Sequence, residues 1–338
     1  MNEQLKISSS KGEKVLSAEE QISKIHEVRK LVGQLSGKSA IFCSDATISR
    51  YLRARNWHVK KAAKMLKDTL KWRAEYKPEE IRWGEIAHEA ETGKVYRSNY
   101  LDKHGRTVLV MRPSCQNTKS TAGQIRYLVY CMENAIMNLP PEQEQMVWLI
   151  DFHGFNLSHI SLKQTKETAH VLQNHYPERL GIAILYNPPK IFEPFWGAAK
   201  AFLEKKTHNK VKFVYSDEPN TMKIMENQFD MDKLEAAFGG KDAVGFEIKT
   251  YAERMKEDDE KIPSFWLKES SPSVMPQLIP PTVDNLKLES DSEPSDEDKT
   301  GHLPSESRKS EIVSAGEPAP EINGGHPELE GKLQFQAN

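Results

Sequence analysis

The sequence predicts an α/β protein: a helical N-terminal lobe, then a largely parallel β-sheet lobe with flanking helices, then an acidic tail. Three observations carry this. Apolar residues recur at helical spacing through roughly the first 90 residues. Beyond them, short apolar runs of strand length alternate with helical stretches long enough to serve as crossovers between parallel strands. From Ser270 onward the chain turns to Pro, Ser, Glu and Asp with few aromatics, a composition that cannot bury a core and is read as disordered.

The elements follow in order. Residues 1–16 are polar and read as a flexible N-terminus. Ser17-Ala-Glu-Glu20 is a capping-box pattern that opens a helix to about Leu35. Ser44 caps a short helix through Ile48, Leu52 and Ala54. Val59, Ala62, Ala63, Leu66 and Leu70 draw the apolar stripe of a helix over about Val59–Tyr76, ended by Pro78. The helical lobe is placed at residues 17–92. Val95–Leu101 and Thr107–Arg112 flank Asp102-Lys-His-Gly-Arg106, a hairpin turn. Helices are expected at Ser120–Leu139 and Ser161–His175, and strands at Met146–Asp151 and Leu180–Tyr186. A largely apolar helix should span Ile191–Leu203 and a strand Val211–Ser216. Helical stretches at Thr221–Asn227, Asp232–Phe238 and Ile248–Glu260 close the second lobe, placed at residues 93–262, with the tail at 263–338.

The net charge of −2 over 338 residues conceals an asymmetry. Residues 270–338 hold 13 acidic and 5 basic side chains, leaving 36 acidic and 42 basic in residues 1–269. The body is mildly basic and suits an anionic partner such as a membrane surface. The excess is too small to point to nucleic acid. Three widely spaced cysteines without C-x-x-C read as free thiols of a reducing compartment. There is no secretory leader, spanning segment or lipidation motif, so the expected location is cytoplasmic, with reversible, peripheral contact to membrane. The chain is expected to be monomeric.

Several catalytic and metal signatures fail. Gly33-x-x-x-Gly37-Lys38-Ser39 is one residue short of a P-loop and follows a helix, not a strand. His88 and Glu89 lack the second histidine of a zinc protease, and His170 and His175 are five apart, off one helix face. No G-x-S-x-G or G-x-G-x-x-G occurs. Asp151-Phe-His-Gly154 has no kinase partner motif. No metal, cofactor or catalytic residue is expected, and an enzyme ranks behind a binding protein.

Tyr51-Leu-Arg-Ala-Arg55-Asn-Trp57 and Lys71-Trp-Arg73, followed by Tyr176-Pro-Glu-Arg-Leu180, Tyr186-Asn-Pro-Pro189 and Phe238-Gly-Gly240, resemble the CRAL-TRIO lipid-transfer family over about residues 20–262. Each motif is weak alone; their order within the right helix and strand pattern is specific. The similarity is greatest to its phosphatidylinositol/phosphatidylcholine transfer branch. This resemblance implies an apolar cavity holding one lipid, a mobile gate helix, and a phosphoinositol-binding group at Arg55, Glu178, Thr207 and Lys210. The side chains suit that role. Two cations can neutralise a phosphate, Glu178 can accept from inositol hydroxyls, and the Thr207 hydroxyl can donate. A purely structural network, with Glu178 paired to Lys210, is the competing explanation.

The family's phosphatidylcholine-reading positions fall here on Asn156, Ser158 and Leu109. Leu109 stands where a tyrosine would contact choline, so phosphatidylinositol is the better ligand and any second lipid is open. Asn56 replaces a second base found in close relatives. The gate falls on Ile191, Phe192, Phe195, Trp196 and Phe202; by composition alone this is an ordinary buried helix. Lys205, Lys206, Lys210 and Lys212 can meet anionic headgroups. Lys60, Lys64, Lys67 and Lys71 form a stripe whose ordinary explanation is a solvated face. In the tail, Ser290 and Ser295 precede acidic residues and are candidate phosphorylation sites; a solubilising tail is the plainer reading. Two rivals remain: a carrier or sensor of another hydrophobic ligand, such as a sterol or tocopherol-like molecule, and a membrane-recruited adaptor without transfer activity.

Overall fold

The structure, a computed structural model, describes residues 16–267. Ser290 and Ser295 lie outside them. The chain opens with α1 (Ala18–Val32), α2 (Gly37–Phe42), α3 (Asp45–Ala54), α4 (Val59–Tyr76) and α5 (Trp83–Ala90). The capping box forms as expected: Glu20 N donates to Ser17 Oγ at 3.2 Å, and Ser17 N donates to the Glu20 carboxylate at 2.8 Å. Ser44 caps α3 by accepting from Thr47 N. Ile25, Val28, Tyr51, Leu52, Ala62 and Leu66 form a core belonging to this lobe. Lys60, Lys64, Lys67 and Lys71 are exposed opposite it. Lys77 takes a left-handed conformation at the end of α4 and Pro78 starts a 3-10 turn, so the helix stops where proline dictates.

The second lobe contains β1 (Val95–Leu101), β2 (Thr107–Met111), α6 (Thr121–Met137), β3 (Met146–Asp151), α7 (Leu162–His175) and β4 (Leu180–Tyr186). It continues with α8 (Phe192–Ala199), α9 (Lys205–His208), β5 (Val211–Val214), α10 (Pro219–Gln228) and α11 (Ile248–Leu267). The sheet order is β1-β2-β3-β4-β5; β1 and β2 are antiparallel and the other pairs are parallel. The hairpin turns on Gly105, at φ 73°, while the Asp102 carboxylate accepts from His104 N and Arg106 N. In register across the sheet, Ile150, Leu185 and Phe213 share one face and pack against Phe192, Phe195 and Trp196 of α8. Val147, Leu149, Ile182 and Ile184 enter the main core with Phe229, Leu234 and Phe238.

Four expectations need correction. The gate segment is not one helix: α8 ends at Ala199 and Lys200–Phe202 is a 3-10 turn. Side chains take its carbonyls, since Gln173 Nε2 donates to Phe202 O at 2.7 Å. Residues 232–238 form no α-helix; only Ala236–Phe238 winds, as a 3-10 turn. Lys241 N bonds Met231 O, Asp242 N bonds Leu234 O and Ala236 N bonds Asp242 O, so the carbonyls a helix would use are taken by a returning loop. Gly240 permits that return: a Cβ there would lie 2.0 Å from Leu234 O. α11 runs past Glu260 and through Pro263 to Leu267. Proline costs a helix hydrogen bond; contacts of Phe265 with Trp266 at 5.3 Å, and of Trp266 with the Arg73 guanidinium, offset it. Finally β2 stops at Met111, just ahead of the 3-10 turn that Pro113 opens, and β5 stops at Val214, where Ser216 N turns to the Asn187 side chain.

Candidate functional site

Three of the four phosphoinositol candidates meet at one cavity. Glu178 follows Pro177 in the turn between α7 and β4 and holds φ at 58°. Non-glycine residues adopt this left-handed region rarely and at a cost that surrounding structure must cover. The turn projects Glu178 toward the start of β5, where Lys210 Nζ lies 3.5 Å from Glu178 Oε2. Thr207 belongs to α9, and Lys210 N donates to Thr207 O at 3.1 Å, fixing their spacing. Glu178, Thr207 and Lys210 line a cavity of about 90 Å³ whose other walls include Met132, Trp148, Leu172 and Leu203. The Trp148 indole N–H is buried without an acceptor among the described residues.

Arg55 stands one step outside. Its Nη1 pairs with Glu204 Oε1 at 3.0 Å, and Glu204 lines the cavity. Glu204 escaped the sequence reading; its signal is a lone acid ahead of the lysines at 205, 206, 210 and 212. The segment is strapped further. Glu204 N donates to Gln173 Oε1 at 2.7 Å, and Lys206 Nζ donates to Asn56 Oδ1 at 2.5 Å and Arg53 O at 3.3 Å. Asn56, at φ 49°, thus replaces a base with an acceptor for Lys206.

The gate residues are graded in exposure. Phe192 is buried against Phe152 at 4.5 Å, Phe195 and Trp196 are half-buried, and Ile191 is exposed. Trp196 meets Phe213 edge-on at 5.9 Å. Phe202 is half-buried on the 3-10 turn.

The second-lipid candidates are not brought together. Leu109 is fully buried in β2 between Arg97 and Trp148, presenting nothing to a headgroup. Asn156 and Ser158 are exposed, and Asn156 Oδ1 accepts from Ser158 N at 2.9 Å and from its hydroxyl, capping a 3-10 turn.

Among the described residues no cluster of three or more His, Cys, Asp or Glu could hold a metal, and no helix is long and apolar enough to cross a membrane. The three cysteines are free; burial pushes Cys43 up to about 11 and Cys131 up to about 12, away from reactive thiolates.

With this geometry in view, comparison with known proteins is decisive. Residues 15–68 match the CRAL/TRIO N-terminal domain and residues 90–240 the CRAL/TRIO domain, together more than half of the chain. The chain belongs to the CRAL-TRIO family. It is 40% identical over 194 residues to a CRAL-TRIO domain-containing protein of Schizosaccharomyces pombe, covering 57% of this chain and 18% of that one. It is 26% identical over 314 residues to the phosphatidylinositol transfer protein CSR1 of Eremothecium gossypii, covering 85% and 70%. It is 31% identical over 219 residues to the phosphatidylinositol transfer protein PDR17 of Saccharomyces cerevisiae, covering 61% and 60%. The chain therefore spans less than a fifth of the first of these relatives and under two thirds of the last. The crystal structure of Sfh5 superposes with a TM-score of 0.56 at 17% identity, over 74% of this chain and 98% of that one. That similarity speaks to the CRAL-TRIO fold.

Proposed function

We propose that this protein binds phosphatidylinositol and carries it between membranes, as a non-catalytic carrier. The observation that supports this most is the convergence of Glu178, Thr207 and Lys210 on one apolar-walled cavity, with the carboxylate and ammonium 3.5 Å apart. A pair this long and partly exposed can open to let a phosphate reach Lys210 and inositol hydroxyls reach Glu178. Relatives named as phosphatidylinositol transfer proteins support the same ligand.

The cavity holds a headgroup fragment, far below the roughly 300–1,000 Å³ of drug-sized sites. Two acyl chains need more room. That room opens if α8 leaves the face formed by Ile150, Leu185 and Phe213. Transfer of acyl carbon from bilayer to cavity is balanced, because each buried CH₂ is worth about 0.8 kcal/mol on either side. The cost of opening α8 then governs exchange, and the exposed lysines near it hold the protein at an anionic surface.

The test is mass spectrometry of lipid extracted from the purified full chain, together with transfer of labelled phosphatidylinositol between vesicles. Phosphatidylinositol should dominate the extract. Lys210→Ala should lose it and slow transfer by about tenfold, the value of one charge-assisted contact, with thermal unfolding nearly unchanged. A sterol or tocopherol-like molecule in the extract would replace this reading with the other-ligand carrier. Vesicle binding without exchange would replace it with the adaptor.

A further inference from the structure

Between the helical lobe, α6 and the end of α11 lies a larger cavity of about 300 Å³, which shares Tyr176, Pro177 and Arg179 with the smaller one. Its polar wall belongs to a cluster of four guanidinium groups. Arg50 pairs with Glu144 at 2.6 Å and Arg53 with the same carboxylate at 2.5 Å. Arg73 pairs with Glu133 at 2.7 Å and Glu79 at 3.2 Å. Arg179 differs: its Nη1 donates to Glu144 O at 2.9 Å, and among the described residues no carboxylate comes within ion-pair distance of it. Of the groups that line the cavity, three guanidiniums (Arg50, Arg73 and Arg179) face two carboxylates (Glu79 and Glu133), one negative charge short; Lys38, 3.7 Å from Glu79, is balanced by Glu80 at 3.1 Å. Burial draws Arg179 down to about 9, with nearby Arg50 adding to the effect and the more distant Glu144 and Glu133 carboxylates only partly opposing it. A cation so placed gains from an incoming anion.

The facing wall is apolar, formed by Phe42, Ile136, Leu139, Ile262 and Trp266, with Phe265 38% exposed at the rim. The volume sits at the lower limit of small-molecule sites. We propose that this cavity binds a small amphipathic carboxylate, its two oxygens on the Arg179 guanidinium and its apolar body against Ile136 and Trp266. One missing charge calls for a monoanion, and the planar guanidinium fork matches a carboxylate. A dianionic phosphate would crowd Glu133 and Glu79. This inference does not rest on the phosphatidylinositol reading, and Arg179 lines both cavities.

The experiment is calorimetric titration of the full chain with decanoate, decanol and decyl phosphate. Decanoate should bind at least about tenfold more tightly than decanol, the difference one charged hydrogen-bonded contact makes, and more tightly than decyl phosphate. Arg179→Gln should remove that preference and leave decanol binding as it was. Ile136→Trp, which fills the cavity, should abolish decanoate binding while phosphatidylinositol transfer continues. Equal binding of decanoate and decanol, an unaffected Arg179→Gln variant, or decanoate binding that survives Ile136→Trp would overturn the proposal. Tighter binding of decyl phosphate would overturn the carboxylate assignment. Should Arg179→Gln fail to fold, Arg179→Lys keeps the charge and loses the fork; undiminished decanoate binding to it would overturn the proposal equally.

Discussion

Two polar clusters join the helical lobe to the sheet lobe. In the first, Arg73 is held by Glu133 at 2.7 and 3.1 Å and by Glu79 at 3.2 Å, and Tyr176 Oη donates to Glu133 at 2.8 Å. Burial opposes the charge on each partner, yet the Arg73–Glu133 attraction raises the arginine's pKa and lowers the glutamate's. In the second, Lys210 stands 3.5 Å from Glu178, and Arg55 meets a largely exposed Glu204 at 3.0 Å. The same residue types serve both. Short, dry, multiply held pairs cannot be given up to a ligand, because breaking one strands a buried charge. Long or wet pairs hold little energy and can be exchanged for a headgroup.

The strongest test of this contrast is Arg73→Ala. It leaves Glu133 buried without its cation and should destabilise the protein by about 3–5 kcal/mol, read from urea unfolding followed by tryptophan fluorescence. Arg73→Met with Glu133→Leu should recover most of that loss, since an apolar pair strands no charge. A single-variant loss below about 1 kcal/mol would place the first cluster in the same class as the second.

His175 reports on the dry cluster through pH. It stacks on Trp72 at 4.1 Å, with Nδ1 3.2 Å from Thr69 Oγ1. Burial draws its pKa down to about 4, with His170 and Arg73 adding to the effect. The folded state keeps the ring neutral, while the unfolded chain takes up a proton near 6.5. Stability therefore falls as pH drops from about 6.5 to 4 and levels below, a span worth up to about 3 kcal/mol. Glu133 and Glu144, both held below the usual carboxylate value, add their loss only below about 4.5. Glu235 and Asp259, whose carboxyls burial raises, oppose this slope, so the histidine is read from a difference: His175→Gln should lower the slope of urea-unfolding stability between pH 7.5 and 5. An unchanged slope would assign the proton uptake to another group.

What the sequence made legible follows the same division. Features set by neighbours along the chain were plain: the Ser17–Glu20 capping box, the stripe of α4, the continuous apolar runs of β3 and β4. The convergence of Glu178, Thr207 and Lys210 was legible through family resemblance, since three residues on two different turns share no periodicity. The Glu204 partner of Arg55 lies 149 positions away, and nothing local marks it. The loop at 231–242 carries a helical apolar pattern but spends its carbonyls on long-range bonds. Pro263 reads as a stop, and only the packing of Phe265 and Trp266 shows why α11 continues.

Trp196→Ala moves the comparison from the seam to the gate. The ring is half-buried against Phe213, with Lys200 Nζ 5.6 Å from its centre. Truncation should cost about 1–2 kcal/mol, below the range for a fully buried tryptophan, and slow intervesicle transfer several-fold while the protein still folds. Unchanged exchange kinetics would remove α8 from the transfer step.

The smallest effect expected is the most discriminating. Glu204→Gln breaks an ion pair whose side chains are 24% and 44% exposed, so stability should change by no more than about 1 kcal/mol. If the second cluster is a site held in reserve, Arg55 loses a competitor and becomes free for a phosphate. Phosphatidylinositol should then bind about threefold more tightly, equivalent to about 0.7 kcal/mol, as measured by competition between labelled and unlabelled lipid. Arg55→Gln should remove that gain when combined with it. A fall in affinity on Glu204→Gln would mean that the carboxylate positions Arg55 rather than competes for it. The second cluster would then share the architecture of the first, a fixed pair on which the ligand depends, and its wetness would no longer explain its function.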